Sequence, residues 1–137
     1  MVVHQGRQEE TFKYARSCLI VRNDITAPGE SEGYMFFAVL PGPNGVQPAW
    51  DTNGDGYIDK GRFNGPISYP CRLRLEKDGT SIRASYSVDE GSTWTYVGGP
   101  ITLPSASDYQ DVGLVVSSLS PYEKSLTEFG EFTVINK

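Results

Sequence analysis

CRLRLEKDGTSIRASYS, residues 71–87, decides the fold. Cys71, Leu73 and Leu75 alternate with Arg72, Arg74 and Glu76, the period of two that puts one strand face in a core and the other in water. Asp78-Gly79 then supplies a tight turn, because glycine reaches positive φ without steric cost. Residues 81–87 resume the alternation with Ile82, Ala84 and Tyr86 inward. Two strands of 71–77 and 81–87 joined by a hairpin are therefore expected. Asp89-Glu90-Gly91 turns the chain again, into a strand over 94–97.

Outward from this hairpin the same grammar repeats. Upstream, Val2–Gln5 reads as a first strand and 11–21 as a longer one, with Leu19 and Val21 on one face and Cys18 and Ile20 on the other. Residues 33–40, GYMFFAVL, are apolar on both faces and belong in the middle of a sheet. Pro41-Gly42-Pro43-Asn44-Gly45 breaks the chain before Val46–Trp50, and 61–63 forms a short return strand. Downstream, strands are expected at 101–103, 111–117 and 127–135. No window carries an apolar period of 3.6 over three turns. Short strands with turn signals every eight to twelve residues indicate an all-β antiparallel two-sheet β-sandwich, one domain over 1–137.

The chain has 137 residues and a formal charge of −5, with 12 Lys+Arg against 17 Asp+Glu. No basic run occurs, which argues against nucleic acid and anionic membrane surfaces as partners. No apolar run approaches the ~20 residues that span a bilayer, and no stretch reads as a secretory leader. Cys18 and Cys71 lie in no C-x-x-C pair, and they form either one disulfide or two buried thiols. With His4 the single histidine, a His-based zinc site or a Ser-His-Asp triad is hard to assemble.

Chemistry is most legible in WDTNGDGYIDKGRF, residues 50–63. Oxygen-bearing side chains recur at alternate positions, Asp51, Asn53 and Asp55, with Asp59 beyond. A hard cation such as Ca²⁺ takes six to eight oxygens at about 2.3–2.6 Å. Alternate residues converge on such a point only where the backbone turns sharply, which Gly56 permits, and Tyr57 then lends its carbonyl. The candidate Ca²⁺ ligands are Asp51, Asn53, Asp55, Tyr57 and Asp59. A bare hairpin tip, for which N-G and D-G are common pairs, is the competing reading.

The loop resembles the first nine positions of an EF-hand or dockerin calcium loop. It departs at the twelfth, where Arg62 replaces a bidentate Glu, and no amphipathic helix flanks it. It is more similar to the D-x-D-x-D-G-x-x-D loops that join two β-strands, as in integrin α-subunit propellers. The ninth-position Asp that closes the shell there falls on Asp59. Ser87-Val88-Asp89-Glu90-Gly91-Ser92-Thr93-Trp94 resembles the Asp-box hairpin of sialidases. The likeness implies a structural turn closed by Ser87, Asp89 and Thr93, with Trp94 tucked beneath as a core plug and no catalytic role.

A broader likeness runs from Ala15 through ARSCLIVR, GYMFFAVLPG, CRLRLEKDGTSIRASYSVDEGSTWT, DVGLVVSS and FGEFTV. It resembles the concanavalin-A-like (laminin-G-like) jelly-roll modules appended to secreted glycoside hydrolases and surface proteins. Such modules begin with further strands, so the likeness implies first strands trimmed or rearranged around residues 1–12. It also implies an extracellular or cell-surface carbohydrate-binding module without turnover, part of a larger secreted protein, with polysaccharide or glycan as partner and calcium stiffening the loops.

A sugar site needs an aromatic face for the C–H side of the ring and planar polar groups for its hydroxyls. Trp50, Tyr57 and Phe63 are the candidates for the first, and Arg62 and Asn64, with Asp55, for the second. Trp50 and Phe63 read equally well as core residues. Tyr34, Tyr69, Tyr109 and Tyr122 near strand ends are further candidates. A glycosidase requires paired carboxylates at one centre. Nothing in the spacing of Glu76, Glu90, Glu128 and Glu131 brings two together, so no enzyme is expected. Two alternatives stand beside the carbohydrate module: a calcium-rigidified adhesion domain and, at low weight, a jelly-roll glycosidase.

Overall fold

The computed structural model describes residues 2–5, 14–120 and 127–135. One antiparallel sheet contains β1 (Val2–Gln5), β6 (Cys71–Asp78), β7 (Ser81–Ser87), β8 (Thr95–Tyr96), β9 (Ile101–Thr102) and β11 (Thr127–Phe129). Its order is β11-β1-β6-β7-β8, with β9 sharing the free edge of β7. The other contains β10 (Asp111–Ser117), β2 (Arg16–Arg22), β3 (Met35–Val39), β4 (Val46–Trp50) and β5 (Lys60–Gly61), in that order. This is the all-β two-sheet sandwich that the alternation implies.

The deciding hairpin pairs Arg72 with Ser87 through Asp78 with Ser81, so Asp78 belongs to the strand and Gly79 (φ +60) carries the turn. The expected strands at 11–21, 61–63, 94–97 and 127–135 are shorter in the structure. β11 stops at Phe129 opposite Val3, where β1 has little more edge to offer. Residues 11–13 of the second strand and Tyr122 lie outside the described residues.

Between the sheets, Leu19, Val21, Met35, Phe37, Val39 and Trp50 pack against Leu73, Ile82, Ala84, Ile101 and Leu103. β3 is buried on its other face too, where Cys18, Ile20, Phe36, Ala38, Leu40 and Ala49 form a second cluster with Ile25 and Ile58 against it. Long side chains help cover this outer layer: the Arg16 guanidinium lies 5.1 Å over Phe36 and that of Arg22 5.2 Å over Tyr34. The doubly apolar segment is thus central, as read.

Cys18 and Cys71 fall in different clusters, on opposite sides of the five-stranded sheet, and both are free and buried. Burial pushes each thiol up to about 12, so neither is a thiolate at neutral pH. No helix among the described residues is long and apolar enough to cross a membrane.

Candidate functional site

The acidic loop hangs between β4 and β5. Its base is zipped by Asp59 N–H to the Trp50 carbonyl (3.2 Å) and Arg62 N–H to the Pro48 carbonyl (3.0 Å). Within it each alternate oxygen accepts the amide two residues on: Asn53 N–H to Asp51 (3.1 Å), Asp55 N–H to Asn53 (3.1 Å) and Tyr57 N–H to Asp55 (2.9 Å). Three successive side-chain turns of this kind wind the backbone around its own oxygens. Asp51 anchors the coil. It is 1% exposed, and its carboxylate also accepts Gly54 N–H (2.8 Å) and Gly56 N–H (2.7 Å). These amides compensate a charge that would otherwise be costly to bury.

The coil is wedged between neighbouring loops. A Cβ on Gly56 (φ +88) would stand 2.8 Å from Glu30 Cβ and Ser31 N, and one on Gly54 (φ +79) 3.3 Å from Pro104 and Ser105. Those flanking loops are tied together by Asn23, which donates to the Ser105 carbonyl (2.7 Å) and accepts from Ser107 N–H and the Gln110 amide (both 2.9 Å).

Asp51, Asn53 and Asp55 offer oxygens of the kind a hard cation takes, and the backbone winds around them. Convergence is partial. Asp59 turns both oxygens to Thr52, accepting its N–H at 3.0 Å and its hydroxyl at 2.9 Å, and so ties down the loop's start. Among the described residues, no three acidic, histidine or cysteine side chains gather closely enough to hold a metal by themselves. A shell at this loop needs the Asn53 amide oxygen and the Tyr57 carbonyl beside Asp51 and Asp55, and Asp59 joins it only by leaving Thr52.

The expected sugar-facing residues divide. Trp50 is 5% exposed in the core, with the Arg62 guanidinium 5.0 Å and the Lys60 ammonium 5.8 Å from its ring, so it offers no face for stacking. Arg62 is sandwiched between Trp50 and Gly98, where no side chain fits. Tyr57 and Phe63 are exposed, at 59% and 54%. The Tyr57 hydroxyl bonds Glu30, which raises its pKa. Asn64 pairs through its backbone with Val46, 2.9 Å in each direction, and its partners come from the strand rather than the loop. Tyr69 donates to the Leu40 carbonyl and packs against the core, Tyr34 lies under Arg22, and Tyr109 stands in solvent.

The turn over residues 87–94 is closed by Ser87, Asp89 and Thr93 as its sequence implies. Ser87 Oγ donates to Asp89 (2.7 Å) and accepts Gly91 N–H (2.8 Å), and Asp89 accepts Thr93 N–H (2.8 Å) and its hydroxyl. Trp94 departs from expectation: it lies outside the core clusters, stacked 4.1 Å from the Arg74 guanidinium on the outer face. Arg83 stacks 3.7 Å from Tyr96 beside it. Glu76 pairs with Arg74 (3.2 Å) and accepts the Tyr96 hydroxyl (3.0 Å), the solvated-face role its alternation gives it.

The sequence pattern did not single out Arg16, Phe36 and Gln47, which line a cleft on the outer face of the five-stranded sheet. The available signal was Gln47 itself, a polar residue in an otherwise apolar strand. No protein-family model matches this chain, and no curated protein or solved structure matches it.

Proposed function

We propose that this sandwich is a non-catalytic carbohydrate-binding module, of the concanavalin-A-like jelly-roll kind, whose 51–59 loop takes Ca²⁺. In this reading it serves a secreted or cell-surface protein. The observation that carries it is the preformed coil of alternating oxygens around buried Asp51, wedged between two other loops. Asp51, Asn53, Asp55 and the Tyr57 carbonyl would hold the ion, with Asp59 closing the shell. The ion would neutralise the tip and fix the loop relative to β5.

Binding to the folded state alone stabilises by about 2.7 kcal/mol at a hundredfold excess over Kd. For a domain of this size that is a rise of roughly 10 °C in Tm. Calcium should produce such a rise in the native chain and none in Asp55→Ala. Identical melting curves in calcium and in EDTA would remove the ion from the proposal. Retention on immobilised polysaccharides, with and without chelator, tests the glycan half. A calcium-dependent Tm without retention on any of them leaves the ion a purely stiffening role, that of an adhesion domain.

A further inference from the structure

The cleft of 380 Å³ on the outer face of the five-stranded sheet is lined by Arg16, Phe36, Gln47, Ala49, Ile58 and Gly61, together with the charged Asp59 and Lys60. It shares none of the residues Trp50, Tyr57, Arg62, Phe63 and Asn64. Two of its polar atoms are buried without a hydrogen-bond partner among the described residues: Gln47 Oε1, on a side chain only 8% exposed, and Arg16 Nε. A buried polar atom left unpaired is costly. Five others lie elsewhere among the described residues, on Arg22, Arg62, Arg72, Arg83 and Gln110, and this cleft is where two such atoms, on different strands, fall together. One is an acceptor and the other a donor. Arg16 is held in place by its stack on Phe36, 5.1 Å from the ring.

Gly61 keeps the cleft open. A Cβ there would stand 3.1 Å from Gln47 Nε2 and 3.3 Å from Ala49 Cβ. Its φ is not in the left-handed region, so the backbone would accept a side chain, and Gln47 and Ala49 would have to give by a few tenths of an ångström to admit its Cβ.

We propose that this cleft is the glycan subsite and takes one pyranose ring. A sugar hydroxyl both donates and accepts, so neighbouring hydroxyls answer both unpaired atoms: one donates to Gln47 Oε1, and an oxygen accepts from Arg16 Nε. The C–H edge of the ring lies against Ala49 and Ile58. This inference rests on the carbohydrate-binding reading and places that function on the outer sheet face, away from the exposed Tyr57 and Phe63.

Affinity electrophoresis through gels of xylan, galactomannan, mixed-linkage β-glucan and pectin tests it. The native chain is expected to be retarded by at least one. Gln47→Ala and Gly61→Val should weaken that retardation at least tenfold in Kd, while Val88→Ala, exposed in the turn after β7 of the other sheet, stays within about twofold of native. Melting curves check that each variant folds; Gln47→Ala, which only removes atoms, carries the test where Gly61→Val does not fold. Retardation that survives both cleft changes, or that is lost in Tyr57→Ala or Phe63→Ala instead, overturns the subsite and leaves carbohydrate binding standing. No retardation of the native chain in any gel overturns carbohydrate binding and the subsite with it.

Discussion

At the scale of single residues, one device recurs: an aspartate that takes both the amide and the hydroxyl of a nearby threonine. Asp59 does so with Thr52, Asp24 with Thr26 and Asp89 with Thr93. At Asp89, hydrogen bonds from the Thr93 hydroxyl and amide, and then from Ser87, lower the carboxyl pKa from 3.8 to about 2. A depressed folded-state pKa means stability that is fully present above the unfolded value and lost as pH falls through the folded one. The clamp should therefore hold above pH 4 and weaken from about 4 towards 2. Urea midpoints of native and Asp89→Asn chains, measured across that window, should converge as the pH drops; a constant gap would show that the clamp does not titrate. The thiols run in the opposite direction. With Cys18 and Cys71 raised to about 12, neither should react with a thiol reagent at pH 8 until the chain unfolds, when both should. One equivalent of reaction in the folded state would contradict the burial of one of them.

At the scale of elements, strands came through where alternation and a turn signal coincided. Val46–Trp50, Ser81–Ser87 and Asp111–Ser117 are bounded as read, and Ser81–Ser87, half-buried, records its two faces in its own residues. Trp50, which the sequence left open between the core and a sugar-facing role, falls inside, on the face of Val46 rather than that of Ala49. What local pattern cannot carry is register between distant strands. The cleft needs Arg16, Phe36 and Gln47 side by side, which follows only from pairing β2 with β3 and β3 with β4. Trp94 shows the same limit, since a turn motif does not say on which side of the sheet its aromatic falls. The glycines separate local from long-range demands. Gly79 (φ +60) has open space around it, so Gly79→Ala should cost only the left-handed penalty of roughly 1–2 kcal/mol. Gly56 (φ +88) would also drive a Cβ against Glu30 and Ser31, adding about 1–3 kcal/mol of overpacking. Denaturation of both variants should therefore rank Gly56→Ala well below Gly79→Ala. Equal losses would mean the loop is not wedged.

At the scale of the molecule, the sandwich sets how a cation at the loop would be felt elsewhere. The long strands at the centre of each sheet, β2 to β4 and β6 with β7, open only on global unfolding, whereas the two-residue strands β5, β8 and β9 at the rims can open locally. A ligand that binds only the folded state slows exchange of every amide whose opening releases it. Global unfolding releases it, and so does detachment of β5, because the loop is strung between β4 and β5. Local opening of β8 or β9 does not, since both pair with β7 in the other sheet. At calcium a hundredfold above Kd, the amides of Phe37, Asp59 and Arg62 should therefore exchange about a hundredfold more slowly. Those of Val97 and Leu103, which bond the Ala84 and Thr80 carbonyls, should keep their rates. Slowing of Phe37 without Asp59 and Arg62 would place the ion away from the loop. Uniform slowing that includes Val97 and Leu103 would mean the rim strands open only with the whole fold.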